Sequence, residues 1–123
     1  MKLLPILILR IVVGGIFFSH GIARLYYMSI PDFAEFLNSK GLLVGTVLAW
    51  AVTLGEIVFG TMLAIGYKVR AAIVFHALVV LGGIILIHYH NGWFVIGHGS
   101  NGMEFSVLLL AVLVYMFFQK KKF

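Results

Sequence analysis

Four apolar stretches dominate this chain, each close to the ~20 residues that carry a helix across a hydrocarbon core. They run over about 3–27, 42–65, 71–89 and 103–118, and the breaks between them hold turn residues or charge. A soluble domain carries roughly 25% charged residues. Here the charged share is 11% against 63% hydrophobic, too little polar surface to coat a globule in water. The expected fold is therefore an all-α membrane protein, one domain over residues 1–123 built as a bundle of four transmembrane helices, with the lipid bilayer as its first partner.

Charge sets the expected orientation. Lys2, Lys68, Arg70, Lys120, Lys121 and Lys122 fall on one side of a four-span hairpin pair, while Arg24 and Lys40 opposite are offset by Asp32 and Glu35. The positive-inside rule puts the first group, and both termini, in the cytoplasm of a bacterial or archaeal cell. The net charge of +5 suits anionic headgroups, and because the basic residues are interleaved with spans, no nucleic-acid partner is expected. Met1-Lys2 and the apolar run after it resemble a secretory leader. Arg10 interrupts that run and no A-x-A site follows, so the segment is read as the first span. The aromatics Tyr26, Tyr27, Tyr89, Trp93 and Phe94 then mark the outer interface, and Tyr67, Tyr115 and Phe117 the inner one.

The first outer connection has a helical signature over about 30–40. Ser29-Ile30-Pro31-Asp32 fits a capping-box start, Phe33, Phe36 and Leu37 recur at helical spacing, and Gly41 supplies a stop. A short amphipathic helix on the outer surface is expected.

Ionisable side chains inside the spans narrow the functional classes, since each costs about 2.5–3.5 kcal/mol at mid-membrane unless paired. They are Arg10, His20 and Arg24 in span one, Glu56 in span two, His76 in span three and Glu104 opening span four. At ~1.5 Å per residue, Arg10, Glu56 and His76 lie ~10, ~13 and ~9 Å from the cytoplasmic ends of their spans. An inner ion-pair network of Arg10 with Glu56, His76 nearby, is expected. An outer layer of His20, Arg24 and Glu104, joined by His98, His88 and His90, is the expected ligand pocket beneath the surface helix. Structural readings stand beside both: for the inner set a register-fixing ion pair and a hydrogen-bonding bundle histidine are the favoured account, and for the outer layer a ligand or proton-handling role is.

The absence of cysteine excludes disulfides, CxxC redox chemistry, iron–sulfur ligation and covalent c-type haem within the chain. No cofactor is expected within the chain itself. His88, His90 and His98 are weak metal candidates, because side chains two apart on a helix point ~200° away from one another. No metal is expected. Residues 97–102 lack the Lys-Ser/Thr of a phosphate loop.

The order of motifs resembles the DoxX-like family of small four-helix membrane proteins. Arg10, Gly14-Gly15, Phe17, His20-Gly21 and Arg24 form the opening match. Gly55-Glu56, Gly60, Leu63, Gly66 and Arg70-Ala71-Ala72 form the middle, and His98-Gly99 with Gly102-Met103-Glu104-Phe105 the last. The resemblance implies a four-helix bundle with both termini cytoplasmic. It also implies association with oxidoreductases, the family name coming from a thiosulfate:quinone oxidoreductase subunit. More distant relatives act as chaperones or cargo receptors. It carries His20, Arg24, Glu56 and Glu104 over as family positions, with Arg24 in place of a commoner Lys.

The reading that unites these features is the membrane component of a redox system in the cytoplasmic membrane. It would bind a quinone or similar small amphipathic ligand at His20, Arg24, Glu104 and His98, with His20 and Glu104 exchanging protons. A soluble or membrane redox partner and a homo-oligomer are its expected associations. A non-enzymatic scaffold or assembly factor is the alternative, and an oligomeric proton or weak-acid transporter the third reading.

Overall fold

The computed structural model describes residues 3–119, so Lys2, Lys120, Lys121 and Lys122 of the topogenic set lie outside the described residues. Those described form helices and turns with no strand. Helix α1 is Leu3–Tyr26, α2 Ile30–Ser39, α3 Gly45–Ile65, α4 Val69–Gly83 and α5 Glu104–Phe117. Helix α4 continues without a break through a π-helical turn, Ile84–His88, and a 3-10 turn, Tyr89–Asn91. Leu4–Tyr26, Gly45–Ile65 and Val69–Asn91 are long and apolar enough to cross a membrane. The fourth apolar helix, α5, has 14 residues and is only ~21 Å long. The start of α1, the turn joining α3 to α4 and the end of α5 lie at one end of the bundle, here the lower end.

Backbone approach at glycine fixes how α1 meets α3. A Cβ at Gly14 would stand 2.5 Å from the Gly60 carbonyl oxygen and 2.9 Å from the Ala64 nitrogen. One turn and more above, a Cβ at Gly21 would stand 2.8 Å from the Thr53 carbonyl oxygen. Two apolar helices gain nothing hydrophobic by leaving lipid for each other, so close packing of small residues is what holds them together. The antiparallel pair α4–α5 is tied at its lower end by Arg70. Its Nε donates to the Phe117 carbonyl and its Nη2 to the Gln119 carbonyl, both at 2.9 Å. A guanidinium there satisfies carbonyls that a helix end leaves open.

The lower half of the bundle is filled by Ile6, Val13, Phe17, Leu63, Ile73, Leu113 and Met116, all buried. Around the outside, Ile8, Ile11, Val12, Val58, Leu78, Ile85 and Leu108 are more than half exposed. An exterior of branched aliphatics around the long helices suits acyl chains as neighbours.

Helix α2 folds back over the upper end, burying Ile30, Ala34 and Leu37 against Ala49 while Asp32 and Glu35 face outward. Ser29 occupies its N-cap position but makes no side-chain cap hydrogen bond, so the expected capping box does not form; Pro31 pre-sets the first turn instead. Gly41, at φ +89°, ends the helix. There the Leu42 amide donates to Leu37 and the Gly41 amide to Asn38, at 3.1 and 3.0 Å, in a Schellman arrangement. The Asn38 side chain then accepts from the Gly45 amide at 2.9 Å, capping α3 and anchoring α2 to it.

Candidate functional site

Arg24 joins three elements at the upper end. Its Nη1 lies 2.5 Å from Glu56 Oε1 and 3.3 Å from Thr53 Oγ1, both on α3. Its guanidinium carbon sits 4.7 Å from the centre of the Phe33 ring on α2. Glu56 is almost wholly buried, its side chain 4% exposed against 20% for Arg24, so the cation faces open space while the carboxylate does not. A carboxylate in such a place needs its partner, because an unpaired buried charge costs several kcal/mol. Both hydrogen bonds leave from Nη1. Nε and Nη2 of Arg24 donate to nothing among the described residues.

Here the structure corrects the sequence reading, which paired Glu56 with Arg10. The glycine contacts set α1 against α3 so that Gly14 meets Gly60 and Ala64, and Gly21 meets Thr53 and Ile57. Arg10 therefore comes level with the last turn of α3, about 15 Å below Glu56 at ~1.5 Å per residue. Measuring each span from its own end missed this, because α1 reaches below the end of α3. Arg10 lies buried in the lower half. His76 is also buried, stacked on Phe17 with ring centres 3.9 Å apart and edge-on to Phe75 at 5.4 Å. Glu56 takes Arg24 as its ion-pair partner.

Above Phe17 lies a cavity of ≈ 390 Å³ walled by α1, α3, α4 and α5. His20, Arg24, Glu56 and His88 supply its charged and titratable groups, and Ser106 and Asn101 its other polar side chains. His20 is near enough to Glu56 to act on it electrostatically. Nδ1 of His88 lies 2.8 Å from the Asn101 carbonyl oxygen. A carbonyl only accepts, so the hydrogen of this bond is on Nδ1.

His88 reaches the cavity because of the π-helical turn. An α-helix that takes in one residue more per turn rotates everything beyond it by about 100°, and such turns recur at functional sites. Gly83 lies one turn below, where a Cβ would stand 3.7 Å from the His88 ring. Sequence reasoning put His88 in the outer layer and among the weak metal candidates, and Glu56 in the inner layer; both line this cavity.

Glu104 and His98 do not line it. Glu104 opens α5, and its Oε1 accepts from the Val95 amide at 2.9 Å, while its own amide donates to Trp93 at 3.0 Å. With the Met103 amide donating to Gly92, these bonds close the 92–103 loop on itself. A carboxylate at a helix N-terminus is favourably placed, and here it holds the loop whose Val95, Asn101 and Gly102 line the cavity. His98 is exposed on that loop, edge-on to Phe94 at 5.6 Å. His90, also exposed, packs edge-on against Tyr89. Among the described residues no three His, Asp or Glu side chains gather into a group that could hold a metal ion.

The DoxX family model matches residues 5–89, which includes Arg24, Glu56, His76 and His88. The chain is also 26% identical over 110 residues to a Bacillus subtilis (strain 168) protein described as "Putative oxidoreductase CatD", covering 89% of this chain and 75% of that protein. No solved structure matches it. Three long apolar helices, a shorter fourth and a family match over more than half its length identify the chain as a multi-pass membrane protein of the DoxX family.

Proposed function

We propose that this protein is the membrane component of a redox system and binds a quinone in the cavity around Arg24. The observation that carries the reading is the guanidinium itself: its charge is already balanced by Glu56, and among the described residues its Nε and Nη2 meet no acceptor beside a cavity of ≈ 390 Å³. A neutralised cation favours a neutral ligand oxygen over a free anion, and the planar fork suits a carbonyl. The volume lies within the range of small-molecule sites. A quinone supplies the two-electron, two-proton chemistry, with electrons coming from a redox partner protein. Within the chain, Arg24 orients the carbonyl oxygen, and His20 and His88 hold protons at the cavity wall within reach of water at the upper end. Glu56 keeps Arg24 in place.

Four spans with both termini in the cytoplasm of a bacterial or archaeal cell complete the proposal, supported by Lys68 and Arg70 at the lower end and by Asp32 and Glu35 at the upper. The cavity then opens near the outer face of the cytoplasmic membrane.

The test is binding of a short-chain quinone to the purified protein in lipid nanodiscs, wild type against Arg24→Lys. Lysine keeps the charge facing Glu56 but loses the fork, so affinity is expected to fall about tenfold, a change of about 1.4 kcal/mol, with the thermal midpoint little altered. Unchanged affinity overturns the site. Absence of any quinone binding, with a soluble protein recovered from native membranes instead, supports an assembly factor.

A further inference from the structure

A second cavity, ≈ 400 Å³, lies beneath α2 and between α3 and α4, and it lacks the cluster of polar residues that lines part of the first. Apart from Arg24 its walls are apolar: Phe33 and Phe36 from the underside of α2, Val52 from α3, Leu78 and Leu86 from α4. Leu78 in that wall is 64% exposed on the outside of the bundle, so the cavity reaches the face turned toward acyl chains. Four residues border both cavities: Arg24, Val79, Gly83 and Ile87. The polar chamber and the apolar one thus share one wall, and the only charged side chain in that wall is Arg24.

We propose that the two cavities are one binding site for an amphipathic ligand. The head lies at Arg24, and a hydrocarbon tail runs beneath α2 and out sideways between α3 and α4 into the bilayer. The inference rests on the quinone reading and deepens it by specifying a tailed, lipid-soluble ligand that enters from the membrane rather than from water. A water-soluble head alone would need no apolar chamber. A lipid-borne ligand needs one continuous with the polar site, because its chain cannot be drawn through a polar opening without losing its apolar surroundings.

Two features make the path usable. Gly82 and Gly83 leave α4 without side chains along this wall; a Cβ at Gly82 would meet nothing within 4 Å. The Arg24–Phe33 contact is a cation over a ring face at 4.7 Å, a contact that a ligand ring can replace without stranding the charge. Helix α2 is thus a roof over the tail, and its amphipathic surface is explained by that position: Phe33 and Phe36 face the chamber, while Asp32 and Glu35 face outward.

The experiment uses one quinone head in two forms, a tailless dimethoxy-methyl-benzoquinone and the same ring carrying a decyl chain, with wild type, Gly82→Leu and Gly15→Leu in nanodiscs. Leucine at 82 fills the apolar chamber without a clash at Cβ. Leucine at 15 adds the same side chain where a Cβ also meets nothing within 4 Å, on an exposed position bordering neither cavity. Gly82→Leu is expected to weaken the decyl quinone about tenfold and to leave the tailless one unchanged, with Gly15→Leu altering neither. Equal loss of both ligands, no loss of either, or the same loss in Gly15→Leu overturns the tail path while leaving the head site standing. Failure of wild type to bind either form overturns the quinone reading and the tail path together. If native mass spectrometry finds a phospholipid lost on Gly82→Leu while decyl-quinone affinity holds, the chamber holds a bilayer lipid and the proposal is wrong.

Discussion

Arg24 ties three helices together, since one guanidinium touches α2 and α3 from α1. Removing either partner of its ion pair strands the other charge in an apolar setting. Arg24→Ala and Glu56→Ala are each expected to destabilise the protein by about 3–5 kcal/mol, and the double variant by clearly less than the sum. Thermal unfolding in detergent checks this as a double-mutant cycle; additive losses would mean that the pair does not act as a unit. The sequence announced that these charges had to be paired but not which with which. The partner was legible all the same. Aligning the small residues Gly14 and Gly21 of span one against Gly60 and Thr53 of span two sets the register, and that register brings Glu56 within the reach of Arg24. Depth from span ends is a poor substitute because adjacent helices need not end level. Glu104 misled for a different reason. A carboxylate at a helix start has a structural use in ordering the preceding loop, and composition does not distinguish that use from a ligand contact.

At the scale of elements, α1 and α3 form the pair on which the site depends. Gly14 has no room for a side chain, whereas neighbouring Gly15 faces open space. Gly14→Leu is expected to cost about 1–3 kcal/mol or more and to move Arg24 away from Glu56. Gly15→Leu should be close to neutral. Thermal midpoints of the two variants, measured side by side, decide it; equal effects would mean that helix propensity rather than packing governs both. The short helix α2 was legible from its spaced Phe33, Phe36 and Leu37, and so was the Gly41 stop, since only a residue at ease with positive φ closes a helix in that way. The absence of a Ser29 cap bond was not, because a sequence names a capable side chain and not its rotamer. The π-helical turn was equally hidden. Gly82-Gly83 permits a change of winding but does not demand one, so the outer layer could be named with His88 in it but not the turn that brings His88 to the wall and leaves His90 and His98 off it.

For the whole molecule, hydropathy was the most informative signal: each long helix coincides with an apolar stretch, α4 outrunning its own at both ends as Val69–Asn91. The two halves differ in kind: a filled core below, mostly apolar with Arg10 and His76 buried in it, and two adjoining cavities under a roof helix above. Placing the roof on the outer face depends on the proposed topology. Since the chain has no cysteine, single cysteines introduced at Lys40 and Lys68 can be labelled cleanly in intact cells. Lys40→Cys is expected to react with a membrane-impermeant maleimide and Lys68→Cys only after the membrane is opened. The reverse pattern would invert the protein and move its cavities to the cytoplasmic side. The claim beneath everything else is that polar side chains from separate helices converge on a ligand in the upper half. A quinone bearing a photoreactive group on its ring, activated in native membranes and mapped by peptide mass spectrometry, tests this most directly. Label on the segments around His20–Arg24 and Gly83–His88, lost when excess unlabelled quinone is present, is the expected result. Label spread over outward-facing positions such as Ile8, Val58 and Leu108, unaffected by competitor, would contradict it.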